Sequence, residues 1–282
     1  MAPPSASRPT LPAQLSGMSS AGAGAAAAQS EVFGRPSRAV RCGWDTVDGA
    51  MGAESGSPGL VRGGVHEWLG VRESAGSDPA WTPPLFLLAH VARCAVRDAV
   101  ERSAPSSVVW IGRRVWPYPR ALTGGVEVAE EDRFGPGSDP GNAEGGELGL
   151  RLALRESADA FTAEGGDLFS RSLFVDPPDA ALRLWAIDTA LRCGGVTAVV
   201  ADGSRLGMAA TRRLQLAAAS ADTLVLTARP PSEAGEISAA TTRWTVARAP
   251  NDGENAGPSW SATLLRAKGA QHLRREHARC AS

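Results

Sequence analysis

Between residues 41 and 268 the apolar positions switch repeatedly between short unbroken runs and stripes spaced by three and four. This is the pattern of strands followed by helices. Gly64–Gly70 reads as a short strand entering a glycine. From Pro84 to Val100, Leu85, Leu88, Ala89, Ala92, Ala95 and Val96 recur on one helical face. Ser107–Gly112 and Leu173–Val175 read as buried strands. Asp176-Pro177-Pro178-Asp179 opens a helix, since proline at the first turn gives up an N–H that would have no partner there. Its predicted stripe is Ala180, Leu184, Ile187 and Leu191, and Gly194-Gly195 ends it. Val196–Asp202 is apolar without interruption, which predicts a central strand covered on both faces. Gly207–Ala221 is the next helix and Thr223–Thr227 the next strand. Arg243–Arg248 and Trp260–Arg266 alternate on either side of Asn251-Asp252-Gly253, a hairpin connection. The order predicts an α/β fold: a mostly parallel central sheet, helices on both faces, and a C-terminal antiparallel hairpin at its edge. Val108–Ile111, Val196–Ala201 and Thr223–Thr227 are expected in the middle of the sheet.

Three stretches break the pattern. Residues 1–40 are mostly Ala, Ser, Pro and Gly, too poor in large apolar side chains to offset their ordering entropy. They are read as a disordered leader. Residues 124–148 hold seven glycines and seven acids against one arginine and are read as a solvated acidic insertion. Both are expected outside the packed core. The domain then spans 41–268, and 269–282 is a basic tail.

Composition narrows the chemistry. Lys+Arg is 29 and Asp+Glu 30, so the net charge is -1 and any polyanion-binding patch must be local. Only one of the basic residues, Lys268, is a lysine. That excludes an ordinary phosphate-binding loop, which needs Gly-Lys-Ser/Thr, and argues against a Schiff-base enzyme. Cys42, Cys94, Cys193 and Cys280 form no CxxC pair, so neither a zinc ribbon nor a disulfide framework is expected, and a cytoplasmic location is. The apolar stretch Ala25–Ala28 is too short for a signal peptide, and no run is long enough to cross a membrane.

The unit from Gly64 to Val100 stands where a phosphate loop stands in a nucleotide-binding α/β domain. Its loop, Gly70 to Pro84, offers Gly70 and Gly76 but also Glu73, Asp78 and three prolines; Arg72 is its one cation. Acids repel phosphate and prolines remove donors, so the loop reads as degenerate. Asp202 ends its strand as a Mg²⁺-holding acid would, but before Gly203-Ser204 the turn reading is favoured. Gly70, Gly76 and Asp202 are therefore candidates for a degenerate nucleotide site. No cofactor is expected; ATP with Mg²⁺ is the alternative. His90 and Cys94 share a helix face but lack a second half to a metal site. Trp110 and Trp185 are read as packing. Arg212 and Arg213, with the tail residues Arg274, Arg275 and Arg279, are candidates for contact with DNA or a partner protein. From Arg266 to the end, five basic residues and one acid leave a formal charge of +4.

Four segments in order carry a family resemblance. They are Trp44–Asp48 with Gly59–Gly70; Val108–Ile111 with Trp116-Pro117-Tyr118-Pro119-Arg120-Ala121-Leu122; Leu173–Asp179 with Leu184-Trp185-Ala186 and Ala190-Leu191-Arg192; and Arg212–Ala218. Over roughly residues 44–268 the chain resembles the ImuA-type, RecA-like proteins of bacterial mutagenic DNA repair. The long leader, the extended loop after Gly70 and the acidic insertion depart from that pattern. The resemblance implies a RecA-like core that need not hydrolyse ATP. It implies a non-catalytic adaptor in damage-induced translesion synthesis, cytoplasmic and nucleoid-associated when DNA is damaged. The implied partners are a Y-family-like polymerase homologue, an error-prone replicative-type DNA polymerase and RecA, with DNA touched directly or through them and no membrane. An active RecA-type, DNA-dependent ATPase with an atypical loop is one alternative. A cell-division inhibitor of the SulA kind is the other.

Overall fold

A computed structural model describes residues 39–55, 58–72, 81–123, 126–130, 149–156, 168–249 and 259–268. In chain order the strands are β1 (Ala39–Val40), β2 (Leu60–Val61), β3 (Val65–Leu69), β4 (Val71–Arg72), β5 (Trp81–Thr82), β6 (Ser107–Ile111), β7 (Val126–Glu130), β8 (Gly149–Glu156), β9 (Ser172–Val175), β10 (Val196–Asp202), β11 (Leu224–Arg229), β12 (Thr242–Arg248) and β13 (Ser259–Ala267). The helices are α1 (Asp45–Ser55), α2 (Leu85–Glu101), α3 (Pro119–Leu122), α4 (Ala180–Leu191) and α5 (Met208–Ala221).

Among the described residues, nine strands form the main sheet in the order β7-β8-β13-β12-β3-β11-β10-β6-β9. From β9 to β12 every neighbouring pair is parallel. β10 lies between β11 and β6, away from either edge, as its unbroken apolar run requires. One face buries Trp68, Val108, Trp110, Val200 and Leu226 under α2, with α1 and α3 on the same layer. The other buries Val109, Ile111, Val199, Ala201 and Val225 under α4 and α5. The residues of β6, β10 and β11 alternate between these two cores, so both faces of these strands are dry.

The α2 layer is built on indoles. Trp68 on β3 stacks on Trp244 of the neighbouring β12 at 5.4 Å between centroids, and Trp44 meets Trp68 edge-on at 6.2 Å. Trp44 in turn stacks on His90 of α2 at 5.0 Å. Such pairs are worth about 0.5–1.5 kcal/mol beyond the area they bury.

Several expectations give way. Within the stretch read as leader, Ala39–Val40 form β1, paired antiparallel with β2, and Val40 is fully buried; residues 1–38 lie outside the described residues. Within the acidic insertion, Val126–Glu130 form β7. Val128 is buried there, and its carbonyl accepts from Trp44 Nε1 at 2.8 Å. In sequence Val128 follows Glu127, and the period of two in a strand lets an apolar residue turn inward beside an acid. β8, from Gly149, pairs with β7 on one side and β13 on the other, so the antiparallel pair β12–β13 sits inside the sheet and not at its edge. Trp185 is 61% exposed: Ile187 and Leu191 carry the buried face of α4, and Trp185 projects off it.

Candidate nucleotide crevice and basic surface

The helix after β3 packs on one face of the sheet and the helix after β10 on the other. The C-terminal ends of β3, β11 and β10 therefore meet at a topological switch point, where ligands bind in open α/β sheets. Two of the sequence candidates, Gly70 and Asp202, stand there. Gly76 lies outside the described residues.

Gly70 serves packing. A Cβ on it would lie 2.4 Å from the Thr82 carbonyl oxygen and 2.4 Å from Trp81 Cε3. Only glycine admits the β4–β5 hairpin this close to the end of β3. Its N–H, which in a phosphate loop would face the ligand, donates to the Arg229 carbonyl at 2.8 Å. Trp81 is buried against it, and the Arg114 guanidinium lies 5.1 Å over the Trp81 ring. At the start of α2, Leu85 N–H already donates to the Pro83 carbonyl at 2.8 Å.

Asp202 forms a turn. Its Oδ1 accepts from Ser204 N at 2.9 Å and from Ser204 Oγ at 2.5 Å, while Oδ2 faces Arg183 Nη1 at 3.4 Å. This is the Asx-type turn expected of Asp before Gly-Ser. Gly203 is held for the same reason as Gly70: a Cβ there would come within 3.0 Å of Thr227 Cβ and Arg229 Cγ.

Beneath the crevice lies a buried ionic cluster that sequence reading misses. Glu67 in β3 receives Arg229 Nη1 at 2.9 Å on one oxygen and Arg243 Nε at 2.7 Å on the other. Ser238 Oγ adds a third donor at 2.6 Å. Arg229 also donates to Glu233 at 2.6 Å and to Glu236 at 2.8 Å. Arg243 spends its remaining donors on the carbonyls of Glu233, Ala234 and Glu236. Burial alone would push the Arg229 guanidinium down; Glu67 and Glu233 outweigh it and hold it above its ordinary value. The partners come from β3, β11, β12 and the segment between the last two. The cluster therefore ties the sheet's centre to that connection. Charged Glu67 beside His66 in a short strand that is otherwise apolar is the sequence signal, but its partners could be named only once the strand order was known.

His90 and Cys94 also meet, as their spacing predicts. His90 Nε2 lies 2.8 Å from the Cys42 carbonyl and 3.6 Å from Cys94 Sγ, and Arg97 Nη2 lies 3.3 Å from that sulfur. Burial would raise the Cys94 thiol, yet His90 and Arg97 bring it down to about 7. Among the described residues no group of three His, Cys, Asp or Glu side chains could hold a metal ion.

The arginine pair on α5 separates. Arg213 Nη2 and Nε grip Asp188 of α4 at 2.8 and 3.2 Å, and Arg192 Nε joins them at 3.0 Å. The Arg213 hydrogen bonds, foremost, hold Asp188 below the usual carboxylate range. Arg212 is exposed and belongs to a different neighbourhood, with Arg266 and Lys268. Arg274, Arg275 and Arg279 lie outside the described residues.

No family model matches the chain, and no curated protein does. The chain is similar to the crystal structure of the RadB recombinase, with 12% sequence identity, 81% of this chain and 90% of that chain covered, and a TM-score of 0.47. The class assigned here, a doubly wound α/β domain with a mostly parallel sheet, stands on the strand order and the two helical layers. Among the described residues no helix is long and apolar enough to cross a membrane.

Proposed function

We propose that this chain is a RecA-like adaptor of damage-induced translesion DNA synthesis that works through its surfaces, without nucleotide turnover. The observation that carries the reading is the state of the crevice. Gly70 packs on Trp81 and Thr82, its N–H is taken by Arg229, and the one lysine of the chain lies at position 268, beyond the last strand. Phosphoryl transfer depends on positioned charge around the phosphates, and the loop after β3 brings acids and prolines instead. The parallel order around β3 supports the RecA-like part of the reading. The ordered segments resembling ImuA-type proteins supply the pathway and its partners: a Y-family-like polymerase homologue, an error-prone replicative-type polymerase and RecA.

The test is induced mutagenesis in a strain of the source organism lacking the chain and any second copy. The reading predicts that damage-induced mutation falls to the uninduced level and returns with a complementing gene. Unchanged induced mutagenesis would remove the pathway and leave the fold.

A further inference from the structure

Arg212, Arg266 and Lys268 come together around one short segment, residues 238–241. Thr211 Oγ1, beside Arg212 in sequence, accepts from Ala239 N at 3.1 Å. Gln215 Oε1, one turn further along α5, accepts from Thr241 Oγ1 at 3.0 Å. The Thr241 carbonyl accepts from Lys268 N at 2.8 Å, and Arg266 Nη1 donates to the Ser238 carbonyl at 2.7 Å. These bonds bring the middle of α5 and the end of β13 onto the same segment. All three cationic side chains are exposed.

Among the described residues, the acids nearby do not cancel their charges. Arg266 is held by a neutral carbonyl. Glu233 and Glu236, the acids closest in sequence to the segment, face Arg229. Asp188 of α4 is taken by Arg192 and Arg213. Partial burial, then the like charges of Arg266 and Arg212, hold Lys268 below the ordinary lysine range. Crowded cations, with Arg266 held by a neutral carbonyl, are relieved by an external anion.

We propose that Arg212, Arg266 and Lys268 form a docking surface for the phosphodiester backbone of a nucleic acid, read without regard to sequence. The charge pattern of the sequence favours a nucleic acid over an acidic protein. In sequence, Arg274, Arg275 and Arg279 follow Lys268 with Glu276 as the one acid among them, and a linear polyanion neutralises such a succession of cations. The inference concerns which surface holds the backbone and does not depend on the adaptor reading; failure of either leaves the other standing.

The experiment measures affinity of the full-length chain for a short labelled duplex across a salt series. Each neutralised phosphate contributes about 0.9 to the slope of log K against log salt. The variant Arg212→Gln/Arg266→Gln/Lys268→Gln is expected to flatten the slope by about 2.7 on the same basis. Arg213→Gln, which loosens the Asp188 contact outside this surface, is expected to leave it unchanged. The charge-keeping variant Arg212→Lys/Arg266→Lys/Lys268→Arg should retain the slope, which separates lost charge from damaged structure. An unchanged slope in the triple glutamine variant overturns the proposal, as does an equal loss in Arg213→Gln. Poly-glutamate bound as tightly as the duplex, and with the same dependence on these three residues, would assign the surface to an acidic protein instead.

Discussion

Replacing Arg229 with alanine is expected to destabilise the domain by about 3–5 kcal/mol, the usual cost of removing one partner from a buried ion pair. The guanidinium is fully buried and serves Glu67, Glu233 and Glu236 at 2.9, 2.6 and 2.8 Å. Without it Glu67 keeps Arg243 and Ser238, but Glu233 loses its charged partner in a site with little access to water. Much of the cost is therefore the carboxylates left behind, not the net worth of the pair. Urea unfolding at pH 7 reads the result as a lower midpoint at constant slope. Arg229→Lys should lose most of the same stability, because a single ammonium cannot span three carboxylates as the planar fork does. A loss below about 1 kcal/mol for Arg229→Ala, the level of an exposed pair, would mean that the cluster is solvated.

Stability should also fall by about 2 kcal/mol between pH 7 and pH 5 because of one histidine. His66 is fully buried in β3, and burial lowers its pKa from 6.5 to about 4. Nε2 faces the Val61 carbonyl at 3.0 Å, an acceptor, so Nε2 carries the hydrogen and Nδ1 accepts from Thr242 Oγ1 at 2.8 Å. Thr242 Oγ1 in turn accepts from Trp244 Nε1 at 2.9 Å, and the neutral ring completes this chain of bonds. The unfolded chain binds the proton more readily, so the folded state loses ground as pH drops below 6.5 and until it passes about 4. His90 and Asp48, both held above their ordinary values, titrate in the wild type and in a His66 variant alike. His66→Gln can keep both hydrogen bonds without the titration. The difference in pH slope between the two proteins isolates His66. Equal slopes would show that the ring is hydrated.

The parts of the fold legible in the sequence were those with a strong period. The unbroken run Val196–Ala201 and the stripe from Leu85 to Val96 needed no partner to be read, since burial on two faces or on one stripe leaves its own pattern. β7 and β8 were hidden by composition. Val126 and Val128 sit among acids and glycines, and the alternation of Leu150, Leu152 and Leu154 follows directly on a low-complexity stretch. Trp185 misled because it neighbours Leu184, and one residue turns a helix by about 100°. The crevice was half legible. The missing lysine and the acids after Gly70 are in the sequence, but the Trp81 indole that packs on Gly70 reaches it only through the β4–β5 hairpin. The ionic cluster was out of reach, since Glu67 finds Arg229 and Arg243 162 and 176 residues away. Arg212 and Arg213 look equivalent in sequence; their neighbours on α4 and β13 assign them to different surfaces.

Steady-state ATP turnover by the purified full-length chain, with Mg²⁺ and with or without single-stranded DNA, bears most directly on the central claim. A crevice closed by Trp81 on Gly70, with both Asp202 oxygens engaged by Ser204 and Arg183, predicts no turnover above background in either condition. Turnover that is stimulated by DNA and disappears on Asp202→Ala would contradict it, and would make the chain an ATPase with an unusual loop.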